Sequence, residues 1–345
     1  PDFCRRKHGE RFDYPDPRTE AILSETYGIM VYQEQVMQMA QVIGGYSLGG
    51  ADLLRRAMGK KKPEEMAQHR QIFRDGAATN GLTELKADEI FDLMEKFAGY
   101  GFNKSHAAAY ALLSYYTAYL KTHHPAAFMA ANLSLAMDDT DKIKILAEDA
   151  SIICGLTLLP PDINQSEYRF TPVAEAGKKA DRIRYGLGAI KGSGQNAIEA
   201  VVAARKEKPF TDLFDFVRRV DKRQINRRTI ESLIKAGAFD CLGVNRGVLL
   251  ASVGLAMESA EQAEASVHQV SLFDIADSQF DDSPVYVNVP EWSEKQKLTE
   301  EKTALGFYLS GHLFNAYVEE AAKFARTRLV DLKPAREPKL MAGII

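Results

Sequence analysis

The sequence has few of the features that identify a chemistry directly. Its three cysteines, Cys4, Cys154 and Cys241, are scattered without a CxxC spacing, so neither a disulfide framework nor a zinc cluster is expected and a reducing cytoplasm fits best. No stretch approaches the run of ~20 apolar residues that spans a bilayer, so no membrane partner is expected. A signal peptide, a transit-type Arg/Ser segment and an initiating methionine are all missing: the chain opens on Pro1-Asp2-Phe3, stops on Ile344-Ile345, and reads as cut from a larger protein at both ends. An excess of one charge is also lacking. With 44 basic against 47 acidic residues, a net charge of −3 excludes a wholly basic nucleic-acid coat.

What is present is an ordinary globular composition, 46 % hydrophobic and 26 % charged, spread over 345 residues. That length exceeds what a single core usually organises, so two domains and a fragment of a third are expected. The charges are sorted locally. Arg55, Arg56, Lys60, Lys61 and Lys62 fall together, whereas Asp274, Asp277, Asp281 and Asp282 make an acidic stretch. Nucleic-acid contacts should therefore be confined to particular faces.

Residues 28–150 read as consecutive helices, with apolar residues at three- and four-residue intervals. The pattern predicts helices over Glu34–Ile43, over Ala51–Met58 ending at Gly59, and from Pro63 to near Gly76. After a Gly99-Tyr100-Gly101 linker comes a helix from about Ser105 to Thr122, apolar almost all round and expected to be buried. Pro160-Pro161 excludes a continuing helix and marks the clearest domain boundary. Beyond it, Arg182–Leu187 reads as a strand and 196–206, 213–220 and 228–236 as helices, giving a mainly α fold with a small β component. Residues 258–289 read as an exposed connection, and Lys339–Ile345 as the first strand of a further domain.

Four clusters can carry chemistry. The first is the run from Arg55 to Lys62, five cations in eight residues. Arginine forks across two phosphate oxygens, lysine adds a point charge, and Gly59 lets backbone approach. Leu54 stands where the first glycine of GxxxxGK[ST] would be, so this is not a P-loop. A solvated helix C-terminus explains the same cations. The second is Gly99–Tyr110, where Asn103, Lys104, His106 and Tyr110 gather at a helix N-terminus that suits a phosphate beneath a stacking ring; a capped, tightly packed helix is the alternative.

The third is Ile190-Lys191-Gly192-Ser193-Gly194, which resembles the hairpin of a helix-hairpin-helix element. Its glycines would allow a turn whose backbone N–H groups hold a DNA phosphate, with Arg227, Arg228 and Lys235 as further contacts. A structural turn is equally compatible. The fourth is Gln269-Val270-Ser271-Leu272-Phe273 between acidic flanks. It has the form of a docking peptide, with Leu272 and Phe273 placed for an apolar pocket, against the alternative of a short buried strand. By contrast, no converging carboxylates suited to a two-metal site can be assembled. Asp139-Thr140-Asp141 reads as a helix start, and His123-His124 as a helix end.

Taken together, Tyr32–Met37, Ala51–Lys61, Gly99–Tyr110, Leu159–Asn164, Tyr185–Gly194, Asn226–Arg228 and Gly237–Asp240 resemble the bacterial DNA polymerase III alpha subunit, a C-family replicative polymerase, over essentially the whole chain. The resemblance implies helical fingers over 1–158, a clamp-binding domain with helix-hairpin-helix elements over 159–325, and the start of an OB-fold over 326–345. It implies that Arg55, Arg56, Lys60, Lys61, Asn103, Lys104, His106 and Tyr110 face the incoming deoxynucleoside triphosphate. Lys191, Gly192, Ser193, Gly194, Arg227 and Arg228 would then meet primer-template DNA. Gln269, Val270, Ser271, Leu272 and Phe273 would dock on the sliding clamp, with Val270 departing from the usual leucine. Other subunits of the replicative holoenzyme are further implied partners, and Mg2+ an implied cofactor held by palm aspartates that match no position here. A DNA-binding adaptor and a nucleotide-binding regulatory domain are the competing functions.

Overall fold

The computed structural model describes residues 1–60, 63–98, 101–267, 285–325, 327–334 and 336–344. It divides into two compact units, Pro1–Ala118 and Tyr119–Ile345. Among the described residues there are fifteen α-helices and one three-stranded sheet, a mainly α architecture with small β content.

The first unit holds α1 (Asp2–Lys7), α2 (Glu20–Leu23), α3 (Gln33–Gly44), α4 (Leu48–Lys60), α5 (Pro63–Thr79) and α6 (Glu84–Ala98), and most of α7 (Lys104–His123). Val36, Met39, Ala40 and Ile43 lie on one face of α3, as their spacing predicts, and meet Leu54, Phe73, Ile90 and Phe91 in the core. Gly45, at φ 64°, ends α3 in the left-handed conformation. Two glycines expected to stop helices instead lie inside them. Gly59 is within α4, and Gly76 is within α5. The reason at Gly76 is a close helix crossing, since a Cβ there would stand 1.8 Å from the Gly44 carbonyl oxygen.

The burial expected of α7 is not realised. None of its residues is buried, and Leu112, Leu113, Tyr115 and Tyr116 are exposed. Its all-round apolar composition favours burial, but neither core cluster includes an α7 residue.

The second unit contains α8 (Pro125–Leu135), α9 (Thr140–Glu148), strands β1 (Thr157–Leu159), β2 (Thr171–Val173) and β3 (Arg182–Arg184), then α10 (Gln195–Arg205), α11 (Leu213–Arg219), α12 (Arg227–Lys235), α13 (Arg246–Val267), α14 (Glu294–Leu305) and α15 (Val318–Phe324). The sheet order is β1-β3-β2, with β1 parallel and β2 antiparallel to β3. Met129 and Leu133 of α8 and Ile143 of α9 share a core with Ile183 and Tyr185. Pro160-Pro161 therefore lies inside this unit, and the division of the chain falls upstream, in α7. The stretch expected to be a connection from residue 258 is helical as far as Val267; its Ala, Glu and Gln residues are good helix formers. Residues 336–344 form no strand, which needs a pairing partner to persist.

Candidate functional site

Arg55 of the basic turn and Phe102, Asn103 and Lys104 of the second cluster, all in the first unit, each contact the N-terminal turn of α3. Tyr32 and Phe102 form an isolated parallel bridge, in which Gln33 N donates to Phe102 O at 2.9 Å and Phe102 N to Val31 O at 3.1 Å. Gln35 fixes this turn: its Oε1 accepts from Val31 N and Tyr32 N at 2.8 and 3.0 Å, and its buried Nε2 donates to Thr26 Oγ1 at 2.8 Å. The two residues between then reach in different directions. Gln33 Oε1 accepts from Arg55 Nη1 at 3.1 Å, while Glu34 accepts from Asn103 Nδ2 at 2.8 Å and from Lys104 N at 2.9 Å.

Each cation placed by this turn has a carboxylate. Arg55 donates through Nε and Nη2 to Asp52 Oδ1 at 3.0 and 2.8 Å, and Arg56 Nη2 lies 2.9 Å from Asp52 Oδ2. The Arg55 hydrogen bonds, more than the nearby Arg56 charge, hold the Asp52 carboxyl below the usual range. Lys104 Nζ donates to Glu25 Oε1 at 2.5 Å, which raises the ammonium pKa, and stands 5.5 Å from the Tyr32 ring centroid. Asn103 caps α7 by accepting from His106 N at 2.9 Å. The His106 and Tyr110 rings stack at 4.4 Å with 27° between their planes, both exposed. Lys60 is exposed at the end of α4, and Lys61 lies outside the described residues. Guanidinium and ammonium groups suit phosphates, and an exposed ring pair suits a planar base.

Sequence reasoning did not assign Gln33 or Glu34 to the site. Both lie in the Tyr32–Met37 stretch, but their partners are 22 and about 70 residues away, beyond the reach of local spacing.

In the second unit the hairpin at 191–194 is open on its outer side. Gly192 takes φ +85°, and a Cβ on Gly194 would meet nothing within 4 Å. Gly194 is the N-cap of α10 and no side chain caps the helix, leaving its first N–H groups for an anion. Ser193 turns inward, its hydroxyl donating to Leu187 O at 2.7 Å. Lys191 N donates to Ala304 O at 2.9 Å while its side chain is exposed. Thr229 Oγ1 donates to Gly192 O at 3.2 Å, so the start of α12 is tied to the hairpin. Arg227 and Arg228 are thereby placed in the adjoining first turn; both are exposed, and Arg227 Nε donates to Glu231 at 2.8 Å.

A second turn with a left-handed glycine, Gly237 at φ +88°, is filled from within. Arg246 Nη2 would stand 2.1 Å from a Cβ there, and the guanidinium donates to Lys235 O at 3.0 Å and to Asp240 at 2.6 and 2.8 Å.

Asp139 is the N-cap of α9, accepting from Lys142 N at 3.2 Å, as its place in the sequence predicts. His123 ends α7, and His124 stands at the N-cap position of α8 without a side-chain capping bond. Among the described residues no group of three or more His, Cys, Asp or Glu is gathered to hold a metal, and no helix is long and apolar enough to cross a membrane. Although the residue as a whole is exposed, desolvation of its sulfur and then the nearby Asp162 carboxylate push the Cys241 thiol up to about 12. A cleft of about 920 Å³ in the second unit, bordered by Lys144, Leu158, Lys302, Tyr308 and His312, includes none of the residues named from sequence. Gln269–Phe273 lie outside the described residues.

The fold and its hairpin define a mainly α protein built on a helix-hairpin-helix element, and the profile of the helix-hairpin-helix motif matches residues 155–249. The profile of the bacterial DNA polymerase III alpha subunit finger domain matches residues 1–81. DNA polymerase III subunit alpha of Neisseria meningitidis serogroup B is 56 % identical across all of the chain, and those of Pseudomonas aeruginosa and Vibrio cholerae are each 50 % identical over 100 % and 99 % of it. The chain belongs to the bacterial DNA polymerase III alpha subunit family. It spans about 30 % of the length of these relatives.

Proposed function

We propose that this chain forms the nucleotide-gripping and DNA-gripping part of a cytoplasmic DNA-directed DNA polymerase that copies a primed template. The observation that carries the reading is that adjacent residues of one turn, Gln33 and Glu34, hold Arg55 on one side and Asn103 and Lys104 on the other, with Arg56 beside Arg55 on α4 and the His106–Tyr110 ring pair following on α7. Arginine forks and the Lys104 ammonium take the phosphates of an incoming deoxynucleoside triphosphate, with Lys60 and Lys61 at the edge of the same site. The stacked His106 and Tyr110 rings face its base or sugar.

In the second unit, the open hairpin at 191–194 takes a phosphate of the primer-template duplex on the α10 N-terminus, flanked by Lys191, Arg227 and Arg228. Residues 1–158 serve as fingers and 159–325 as the clamp-binding domain, with an OB-fold starting in 326–345. Gln269–Phe273 is the peptide for the sliding clamp, inside a holoenzyme of further subunits. The Mg2+ ions of phosphoryl transfer are held by palm aspartates that match no position in this sequence, and the Asp139-Thr140-Asp141 pattern begins with a helix cap.

The test is primer extension by the full-length polymerase. Arg55→Ala and Lys104→Ala should each raise KM for nucleotide at least tenfold, the scale of one lost charge-assisted contact. Unchanged KM in both would overturn the nucleotide site. Lys191→Ala with Arg228→Ala should weaken duplex binding for all sequences alike and lower its salt dependence.

A further inference from the structure

Asp52 has no place in the grip described above, yet it engages both of its arginines. Its two oxygens are divided between them: Oδ1 takes the Nε and Nη2 of Arg55, at 3.0 and 2.8 Å, and Oδ2 lies 2.9 Å from Arg56 Nη2. The three residues stand three and four apart on α4, so the helix itself presents the carboxylate to both guanidiniums. Bidentate engagement of Nε and Nη2 is also the way a guanidinium holds a phosphate. Gln33 Oε1 takes Arg55 Nη1 at 3.1 Å, which leaves that guanidinium with acceptors on both sides.

We infer that Asp52 is an internal competitor for the polyphosphate site, a carboxylate occupying the arginine donors that an incoming ligand must take over. The inference rests on the reading of Arg55 and Arg56 as phosphate ligands. The charge balance supports it. Three groups, Asp52, Arg55 and Arg56, carry a net charge of about +1 rather than +2, so a weakly charged anion gains little by entering. A polyphosphate brings enough charge and enough oxygens to displace a single carboxylate and hold both forks at once. All three side chains remain partly open to water, with 29 % of Arg55, 62 % of Arg56 and 32 % of Asp52 exposed, so the exchange requires no unfolding. An exposed pair of this kind is weak enough to be exchanged.

Asp52 is thus an affinity-setting residue and not a contact of the bound ligand. Apparent affinity is reduced by the fraction of protein in which the arginines are available. Removing the carboxylate should recover that factor, about three- to tenfold for two exposed ion pairs. The arginines themselves should report the exchange, because the Arg55 Nε–H leaves a carboxylate for a phosphate and the Arg56 guanidinium changes its partner at Nη2.

The experiment is calorimetric titration of the 345-residue chain with inorganic tripolyphosphate at moderate salt. The proteins compared are wild type, Asp52→Asn, Asp52→Ala and Arg55→Ala/Arg56→Ala, each first checked for unchanged helix content. Nitrogen NMR of the arginine Nε–H groups is recorded alongside. Tighter binding by both Asp52 variants, loss in the double arginine variant, and movement of the Arg55 and Arg56 signals in wild type would bear the inference out. Should the double arginine variant lose binding while the Asp52 variants bind equally or more weakly, Asp52 is no competitor, although the arginines remain the phosphate site. Binding that survives removal of both arginines, or that no form shows, overturns the phosphate site and the competitor together.

Discussion

The carboxylate of Glu34 accepts from the Asn103 side chain at 2.8 Å and from the Lys104 backbone at 2.9 Å, joining the first turn of α3 to the first turn of α7. Asn103 in turn caps α7 through His106 N. Glu34→Ala should therefore cost about 1 kcal/mol, the usual scale of a lost cap at an exposed site. Glu34→Gln should cost less, since an amide oxygen retains one acceptor. Urea unfolding of the two variants checks the order.

Gly76 sits where α5 crosses α3, with no room for a methyl group against the Gly44 carbonyl. Gly76→Ala improves helix propensity by about 1 kcal/mol, yet it should destabilise the first unit, because the obstacle is backbone and the crossing must open. A net loss of about 1–3 kcal/mol is expected. A rise in the urea midpoint would show that the two helices separate without penalty.

These positions also mark what was legible in the sequence. The apolar face of α3, the helix of α10, the cap at Asp139 and the turn at Gly192 follow from local periodicity and turn chemistry, and the structure reproduces them. Gly59 and Gly76 misled because a helical glycine costs only about 1 kcal/mol, which a close crossing can repay at Gly76. The exposure of α7 could not be read, since composition reports a preference for burial and not the presence of a partner. The candidate residues were named from type and spacing, but Gln33, Glu34 and Asp52, which hydrogen-bond to them, were not. Gln33 and Glu34 act across long separations, and Asp52 looks like an ordinary helix-surface acid.

The α5–α6 face should give the first unit a pH-dependent stability. Arg74 donates to Asp88 at 2.7 and 2.8 Å, with Arg70 at 3.4 Å, and these hydrogen bonds hold the Asp88 carboxyl below its ordinary value of 3.8. A carboxyl depressed in the folded state binds its proton more readily when unfolded. Its contribution is therefore complete above the ordinary value and is lost as pH falls through the folded one. Asp88→Asn should lower the urea midpoint at pH 6 and narrow its difference from wild type toward pH 3. A constant difference across that range would remove Asp88 from the acid response.

Two turns of the second unit that contain a left-handed glycine, Gly192 and Gly237, should respond oppositely to being filled. At the open hairpin, Gly194 has φ −73° and clear space around it, so Gly194→Ala should leave stability within about 0.5 kcal/mol. At Gly237 the same change meets two costs, a left-handed φ of +88° worth about 1–2 kcal/mol and a collision with the Arg246 guanidinium. Arg246 is 6 % exposed, hydrogen-bonded to Asp240, and 3.7 Å from the buried Glu301 carboxylate. Its own removal should cost about 3–5 kcal/mol by leaving that acid without its cation. The costs are not independent, because Arg246→Ala vacates the space that the new methyl group needs. In the Arg246→Ala background, Gly237→Ala should thus cost only the backbone strain. A double-mutant cycle in urea should return a coupling of about 1 kcal/mol or more. Strict additivity would mean that the guanidinium does not fill the Gly237 turn in solution, and that this turn is as available to a phosphate as the 191–194 hairpin.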